Sequence, residues 1–422
     1  MKVFPNIENL QHYQDLKDQT AKSSDKFGAF KRQSFKTFLE KGLPASGKGN
    51  ERWKYLDLRS LVKTKYKLLA DLNKTDNKFS PDVIFLQNSI SIVNGQMDSK
   101  ILSSMKGIKV LEIDEIDIGG VADNNEDGMI AFNSSFFIEP LCFRITEDFN
   151  YANLNIVFSG DNEDQRLDCP RLFIEIDSGV EETINELHVS PSADVLKVSV
   201  LEIILKEGSK VLHNIVVNGS KYSKDFLFTR ISQNKNSYFK SVSYSDAPNL
   251  GANDIKVCMN GEYSECDLRG LYFTTGSSQF NTHVVVDHNV PHTKSNQFYK
   301  GILTDNSRAV FSGKILVKRD AQKTYATQKD LNLLMSKGAE IDTKPSLEIY
   351  ADDVQCFHGA TAGHVDENTL YYMMSRGIDK DRATQILVRG FADEIINDIS
   401  DKSFRKIAVK QIDKILPSLS FQ

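Results

Sequence analysis

The feature that most limits how this chain can fold is a succession of short apolar segments between about residues 82 and 355. The segments are rich in β-branched and aromatic residues, as in VIFLQ, RLFIEI, LKVSVLEIIL, THVVVDH and SLEIYA, and polar turns separate them. Such runs are typical of β-strands. No long helical segments alternate with them, which disfavours a doubly wound α/β fold. The pattern predicts a sandwich, a barrel or an irregular solenoid, and periodicity leaves all three open.

The region before these strands, from about residue 8 to 66, has apolar residues at helical spacing. One face of a predicted helix carries Phe27, Phe30, Phe35, Phe38 and Leu39. Gly42 and Pro44 follow this helix. Because Gly caps helices and Pro cannot continue them, we predict that the helix ends at Gly42.

The region from about residue 366 onward again has helical spacing. Its two apolar stripes comprise Ala383, Ile386, Leu387, Phe391 and Ile395 in the first, and Phe404, Ile407, Ala408, Ile412 and Ile415 in the second. Charged residues fill the opposite faces. Stripes of this kind pack on the chain's own core or dock a partner. The candidate docking residues are therefore Ile386, Leu387, Phe391 and Ile395 of the first stripe.

The composition excludes several classes of protein. The 52 basic and 57 acidic residues are interspersed and give a formal charge of −5, so the basic surface of a nucleic-acid binder is missing. No apolar run approaches the ~18–20 residues that span a bilayer, and the first residues lack the apolar centre of a signal peptide. Five scattered cysteines do not form a disulfide framework. We expect a cytoplasmic protein that binds neither nucleic acid nor membranes.

One pattern resembles a nucleotide-binding motif and fails in its details. Residues 42–48, GLPASGK, match the first seven positions of a P-loop. The eighth position should supply a hydroxyl group for Mg²⁺ but is Gly49, and a predicted helix rather than a strand precedes the loop. We predict a flexible loop without nucleotide binding.

A second pattern imitates the first half of a calcium-binding loop. Asp123, Asn125 and Asp127 have the spacing of its first ligands, but Ser134 stands where a bidentate Glu is required. The flanking segments are not predicted to be helices, as that motif demands. We predict an acidic turn.

Three neighbouring histidines, His283, His288 and His292, suggest a zinc site. The segment THVVVDH is strongly β, however, and two residues five positions apart on a strand point to opposite faces. Pro291 then interrupts the path to His292. We therefore predict that the three histidines do not share a metal.

Cys356 and His358 form a more informative pair at the end of a predicted strand. Side chains two positions apart on a strand point to the same face, so this thiol and imidazole can converge. Sulfur with imidazole suits iron–sulfur species, zinc or Cu(I). A buried cysteine beside a turn histidine remains the alternative.

Three blocks of sequence resemble the SufB/SufD family of iron–sulfur cluster assembly proteins, and together they cover about a third of the chain. The first block is PSLEIYADDVQCFHGATAGHVDENTLYYMMSRGI, residues 345–378, and its segment CFHGATAG, residues 356–363, is similar to the SufD-type form of the family signature. The second block is VDHNVPHTKSNQFYKGIL, residues 286–303, with the segment directly after it. The third is FKTFLEKGLP, residues 35–44, followed by ERWKYLDLRSL.

This resemblance implies a mainly β fold, in which a right-handed parallel β-helix core is flanked by N-terminal and C-terminal helical regions. The expected boundaries are 1–81 for the N-terminal helices, 82–355 for the core and 356–422 for the C-terminal helices. It also implies a non-catalytic scaffold in a complex with a SufB-like paralogue and a SufC-like ABC ATPase, where the partner hydrolyses ATP. A homodimer of the isolated chain is left open.

By the same resemblance, His358 matches the histidine associated with cluster building at the interface with SufB, and Cys356 is the cysteine beside it. His358 is thus a candidate transient metal ligand, and the iron–sulfur cluster is expected only transiently at that interface. The C-terminal helices match the surface that receives SufC. A reduced flavin is associated with such complexes, but no flavin motif is present here.

Two other classes of function compete with this interpretation. A polysaccharide-active β-helix enzyme would show a secretion signal and acidic residues clustered along one solenoid face, and the sequence shows neither. A metal-dependent enzyme would use the three histidines, which the strand geometry disfavours. Copurification with an ABC-type ATPase and a SufB-like chain would separate these interpretations.

Overall fold

The computed structural model describes residues 10–21, 27–44, 52–68, 86, 88–97 and 100–418. Within them the α-helices are α1 (Leu10–Ala21), α2 (Gly28–Lys41), α3 (Arg59–Lys63), α4 (Lys100–Ser104), α5 (Gly128–Phe136), α6 (Glu367–Ser375), α7 (Lys380–Ile396) and α8 (Lys402–Ile415). Helices therefore lie on both sides of a long β-region, as the sequence predicts.

The strands follow one another along the chain. They are β1 (Ser89–Val93), β2 (Gln96–Met97), β3 (Ile108–Val110), β4 (Leu141–Ile145), β5 (Leu154–Ser159), β6 (Arg166–Asp168), β7 (Arg171–Ile176), β8 (Glu181–Val189), β9 (Val195–Leu205), β10 (Lys210–Asn218), β11 (Lys224–Gln233), β12 (Tyr238–Asp246), β13 (Leu250–Met259), β14 (Glu265–Thr274), β15 (Gln279–His288), β16 (Lys294–Leu303), β17 (Arg308–Val317), β18 (Tyr325–Leu334), β19 (Glu340–Ile349) and β20 (Gln355–Gly363).

Two stacked sheets make a parallel β-solenoid. Sheet 1 has the order β2-β1-β5-β8-β10-β12-β14-β16-β18-β20, and sheet 2 has the order β19-β17-β15-β13-β11-β9-β7-β4-β3. From β8 onward the chain alternates between the sheets, so each turn adds one parallel strand to each. From β5 onward, successive strands of sheet 1 are offset by 27 to 31 residues, as between Tyr238 and Glu265 or Lys294 and Tyr325. This variation in turn length hides the repeat in the sequence.

The interior between the two sheets is mostly apolar. It contains residues from both sheets, such as Ile184 and Phe239 of sheet 1 and Ile203 and Val257 of sheet 2. Because alternate residues of a strand point to opposite faces, the remaining residues of each strand face outward. The parallel solenoid that the resemblance implies is therefore confirmed.

Helices cover the outward face of each sheet. The N-terminal helices α1 and α2 pack with α5 on sheet 2, where Phe38 and Phe132 meet Phe226 in one apolar cluster. The helices α7 and α8 pack on sheet 1, where Val388 and Phe404 join an apolar cluster with strand residues. Gly42 ends α2 with a positive φ of 69°. The predicted end of this helix is confirmed.

Hydrogen bonds and ion pairs also attach the C-terminal helices to sheet 1. Asn185 Nδ2 donates to Asp401 Oδ2 at 3.0 Å, and Arg269 Nη1 donates to Asp398 Oδ2 at 2.5 Å. Asp401 is at the same time the N-cap of α8, where it accepts from the backbone N–H of Ser403. Apolar packing and polar contacts together hold these helices on the solenoid.

The two failed motifs have different outcomes. The loop of the P-loop-like pattern lies outside the described residues from Ala45 to Gly49. In the calcium-like pattern, Asp127 is the N-cap of α5 and accepts from the backbone N–H of Met129. The prediction that no helix flanks this pattern was wrong, because α5 follows Asp127 directly. Its residues, Ser and Phe in particular, do not reveal a helix by propensity, and burial between α2 and sheet 2 stabilises it.

Candidate functional site

The C-terminal end of the solenoid leaves two strand edges without a partner. In the described part of the chain, β20 pairs only with β18, and β19 pairs only with β17. Their outer edges thus present backbone N–H and C=O groups that are free to pair with another chain. Most residues of β19 and β20 are exposed or half-buried, whereas earlier strands are largely buried. This open end therefore combines unpaired strand edges with exposed side chains.

Cys356 and His358 both lie on β20 at this open end. The register pairs Cys356 with Ala326 and His358 with Gln328, and both partners are buried residues on the interior face of β18. Cys356 and His358 therefore point along the interior face of the last turn, which confirms that they share one face. Cys356 is half-buried beside Ile315 and Ala326, and His358 is exposed.

The strand β20 continues beyond this pair to Gly363, and the C-terminal helices begin with α6 at Glu367. The pair thus belongs to the last turn of the solenoid. The hydrogen bonds between β18 and β20 fix the position of the pair, because residues of β20 on both sides of it pair with β18.

The Cys356 thiol is not activated by its surroundings. Burial raises the pKa of Cys356 above its usual value of 9.0. The thiol is therefore protonated at neutral pH and must lose its proton before it can bind iron. The other cysteines lie elsewhere: Cys142, Cys169 and Cys266 are buried, and Cys258 is half-buried on the outer side of β13.

The three neighbouring histidines occupy three different environments. His283 lies 3.3 Å from Asp254 on the outer face of sheet 2. His288 is buried in the interior, where its ring nitrogens contact the hydroxyl groups of Thr293 and Ser295 at 2.7 and 2.8 Å. His292 lies in a turn and stacks on Tyr263. The histidines do not share a site, as the strand geometry predicts.

Within the described residues, no three His, Cys, Asp or Glu side chains are grouped so that they could hold a metal ion. Cys356 and His358 are thus two ligands short of the four that a tetrahedral iron site uses. An iron–sulfur species bound at the open end would have to take its remaining ligands from a second chain.

The four candidate docking residues of α7 differ in exposure. Ile395 is fully buried against sheet 1, and Leu387 and Phe391 are partly buried in the same apolar cluster. Ile386 is 42% exposed. It lines a groove of about 500 Å³ between α7 and the end of α8, together with Arg389 and other residues. Only Ile386 of the four presents a large part of its side chain to a partner.

Helix α6 adds a second exposed apolar surface that the sequence analysis did not single out. Tyr371 is 74% exposed, and Tyr372 and Met374 are also exposed. Only Leu370 of this helix is buried. The segment LYYMMS carries no clear helical stripe, so its exposure became visible only when the path of the chain was known.

No helix in the described portion of the chain is long and apolar enough to span a bilayer.

Comparison with known proteins shows which family the chain resembles. Residues 158–391, more than half of the chain, match the family described as SUF system FeS cluster assembly, SufBD core domain. The Escherichia coli (strain K12) protein named iron-sulfur cluster assembly protein SufD is 26% identical over 446 residues, which cover 99% of this chain and 99% of that protein.

Two further relatives match over shorter lengths. A Synechocystis protein named as an iron-sulfur cluster assembly SufBD family protein is 32% identical over 54% of this chain and 53% of its own length. The Arabidopsis thaliana protein ABCI7, chloroplastic, is 30% identical over 61% of this chain and 55% of its own length. The chain therefore belongs to the SufBD family and is, within it, a SufD-type protein of iron–sulfur cluster assembly.

Proposed function

We propose that this chain is the scaffold subunit of a SUF complex that pairs through its open end with a SufB-like paralogue. The single observation that carries the proposal is the placement of Cys356 and His358 on the unpaired last turn. A thiol and an imidazole on a surface with free strand edges suit a cluster shared between two chains. The chain itself does not hydrolyse ATP, and the SufC-like partner does.

Strand addition explains how the paralogue would dock. The free edges of β19 and β20 can each accept a strand, and exposed aromatic residues flank them. Tyr350 is 63% exposed and Phe357 is 57% exposed, which is unusual for large apolar side chains in a surface without a partner. In the absence of the paralogue, the same edges allow a second copy of this chain to form a homodimer.

The iron–sulfur cluster is the cargo of this interface. His358 would contribute one transient ligand, and Cys356 would help to bind sulfur or iron once it has lost its proton. A single imidazole from this chain, beside stronger ligands from the paralogue, binds the cluster weakly enough for release. This arrangement suits a scaffold that hands its product on.

The test compares alanine variants of the complex purified anaerobically. His358→Ala should leave folding and complex formation intact and abolish cluster accumulation, and Cys356→Ala should reduce it less. His292→Ala is the matched control, because His292 is also exposed but lies in a turn away from the open end. Iron, acid-labile sulfide and visible absorbance are measured. A normal cluster content in His358→Ala would reduce His358 to a structural residue.

The ATPase would dock on the C-terminal helices, where α6 and Ile386 are exposed. Truncation at Gly377 is an ambiguous test, because it would uncover the face of sheet 1 that α7 and α8 bury. Ile386→Glu should weaken retention of the ATPase without unfolding the chain. Ile101→Glu is the control, since Ile101 is similarly exposed, at 40%, on α4. Equal retention by both variants would place the ATPase elsewhere.

A further inference from the structure

Two glutamine side chains form a hydrogen-bonded ladder in the solenoid interior directly beneath the last turn. Gln297 of β16 and Gln328 of β18 are paired in register, and both are buried. Gln328 Nε2 donates to Gln297 Oε1 at 3.0 Å, and Gln297 Nε2 donates to the backbone carbonyl of Lys314 at 3.4 Å. The two amide groups thus form a chain of hydrogen bonds that starts at a carbonyl of sheet 2 and continues toward the open end.

The hydrogen bonds of this ladder have a fixed direction. A backbone carbonyl can only accept, so Gln297 turns its NH₂ group toward Lys314 and offers its oxygen to the next residue. Gln328 must then present its own NH₂ group to that oxygen. Its oxygen, Oε1, is left on the side away from Gln297, buried and without a hydrogen-bond partner. The ladder therefore ends in an unused acceptor beneath the last turn.

The opposite sheet leaves room for the amide group of Gln328. The residue that faces it is Gly313 of β17, where a Cβ atom would lie only 1.5 Å from Gln328 Nε2 and 2.8 Å from Gln328 Cδ. A larger residue at this position would push the amide group aside, so the close approach requires glycine. The amide group is thus held between Gln297 on the neighbouring strand and the backbone of sheet 2.

The next side chain along this ladder is that of His358. The register pairs His358 with Gln328, and the two strands lie about 4.8 Å apart. The two side chains share the interior face, but they are not hydrogen-bonded to each other in the uncovered chain. The imidazole of His358 is exposed, so rotation about its side-chain bonds can bring a ring N–H to Gln328 Oε1 while the backbone stays in place.

A hydrogen bond at one ring nitrogen decides what the other nitrogen can do. The neutral imidazole has an N–H group on one nitrogen and a lone pair on the other. An acceptor that holds the N–H group fixes the tautomer and the orientation of the ring, and the lone pair is then directed at a ligand. Metal-binding histidines are usually held in this way by an oxygen atom. Gln328 Oε1 is a buried, immobilised and uncharged oxygen of this kind.

We propose that Gln328 is a positioning residue for His358. When a partner covers the open end, Oε1 of Gln328 accepts a hydrogen bond from the imidazole and turns the other ring nitrogen toward the shared cluster. This inference rests on the proposed function and names the residue that orients its candidate ligand. No covalent bond forms or breaks in this step.

The first test measures cluster content in the anaerobically purified complex. Gln328→Leu removes the acceptor at similar volume and should lower iron and acid-labile sulfide several-fold, and Gln328→Glu keeps an oxygen at the same place and should restore most of the content. The matched control is Gln233→Leu, because Gln233 is also fully buried and also has a partnerless Oε1, but in an earlier turn. It should lower the melting temperature as much as Gln328→Leu and leave the cluster content unchanged. Equal cluster loss in both leucine variants would reduce Gln328 to a packing residue.

The second test observes the imidazole itself. The complex is prepared with ¹⁵N-histidine in this chain, and the clusters are reduced to a paramagnetic state. Pulsed electron paramagnetic resonance should detect the coupling of a ¹⁵N nucleus that is missing in His358→Ala and weakened in the clusters that remain in Gln328→Leu. Gln328→Met, which keeps the length of the side chain, replaces the leucine variant if that variant does not assemble.

The outcomes of these tests separate the two proposals. Wild-type cluster content and ¹⁵N coupling in Gln328→Leu or Gln328→Met, together with their loss in His358→Ala, would overturn the role of Gln328 and leave the proposed function in place. Wild-type content in His358→Ala would instead overturn the proposed function.

Discussion

At the N-terminal end of the solenoid, β2 folds back antiparallel to β1 and β3 pairs antiparallel with β4, whereas at the C-terminal end β19 and β20 stop with free edges. Helices α1, α2 and α5 also cover the early turns of sheet 2, but the last turn has no such cover. The two ends therefore differ both in the direction of their last strand pairs and in how their terminal strands are covered.

The early turns of the solenoid therefore supply most of the buried core, whereas the last turn supplies exposed surface. The early turns bury large side chains completely, including Phe143 and Phe158. At the ladder position of Phe158, the last turn has the exposed Ala362. At the ladder position of Phe143, it has Leu347, which is only partly buried. Antiparallel strands at the first end block further pairing, and their absence at the other end invites it.

The largest difference in stability between the two ends should come from breaking a buried ion pair at one end and an exposed ion pair at the other. Arg171 and Glu202 form an ion pair at 2.5 Å in which both side chains are inaccessible. Arg171→Ala would leave Glu202 buried without its partner, at an expected cost of about 3–5 kcal/mol in the free energy of unfolding. The control is Lys323→Ala, which breaks the exposed pair with Asp353 at the open end and should cost about 0–1 kcal/mol. Denaturant unfolding of both variants checks this, and equal losses would contradict the contrast.

Truncation of an apolar side chain should also destabilise an early turn more than the last turn, but by a smaller difference in the free energy of unfolding. Ile174 is fully buried in the interior of an early turn, so Ile174→Ala should cost about 2–5 kcal/mol. Leu347 occupies an interior position of β19 but is only partly buried. Leu347→Ala should therefore cost clearly less in the same unfolding measurement. If Leu347→Ala were the more damaging change, the last turn would be as well packed as the first.

Buried titratable side chains in different turns should change the stability of the fold in opposite directions as the pH changes. The Glu186 carboxylate lies 3.1 Å from His188 Nε2 and 2.5 Å from His213 Nε2, and all three side chains are buried. Burial alone would raise the pKa of Glu186, but these hydrogen bonds lower it from 4.5 to about 2. Burial lowers the pKa of His188 below 6.5, with Lys197 adding to this effect.

Both shifts mean that the unfolded chain binds protons that the folded chain does not, so stability should fall as the pH drops below 6.5 and further below 4.5. The slope is about 1.4 kcal/mol per pH unit for each proton. Asp330, with its raised pKa, acts in the opposite direction between about pH 4 and 7. The free energy of unfolding of Glu186→Gln and Asp330→Asn should be measured across this range. Glu186→Gln should reduce the loss of stability as the pH falls, and Asp330→Asn should reduce the loss as the pH rises. A reduction in the same direction of pH by both variants would refute the assignment.

The smallest effect on stability is expected at the surface of the open end. Phe357→Ala should change the free energy of unfolding by less than about 0.5 kcal/mol, because the side chain is largely exposed. The same change should weaken pairing through the last turn, measured as dimer dissociation or as retention of the paralogue. A stability loss without a change in pairing would make Phe357 a packing residue.

The sequence predicts the strands and most helices because each depends on a local spacing of apolar residues, which is short for strands and three to four positions for helices. It does not predict the solenoid by periodicity, since turns of 27 to 31 residues blur the repeat, and the family resemblance alone supplied that prediction. The side chains of Cys356 and His358 were correctly placed on one face, because a strand enforces this at two-residue spacing.

Features that depend on contacts distant in sequence were not predictable. The exposure of Ile386 and the burial of Ile395 follow from how α7 lies on sheet 1. Hydrogen bonds link Asp330 through Asn332 to Tyr272, which lies two strands away and is brought close only by the turns of the solenoid. No local pattern marks an acid that is buried in this way.

The attachment of α7 and α8 to sheet 1 has a mechanical consequence. Asn185 binds them to β8, Arg269 binds them to β14, and an apolar cluster joins them to sheet 1, so sliding would break contacts with several turns of the solenoid. A displacement of these helices would therefore be resisted at several turns of the solenoid at once, rather than at one local contact.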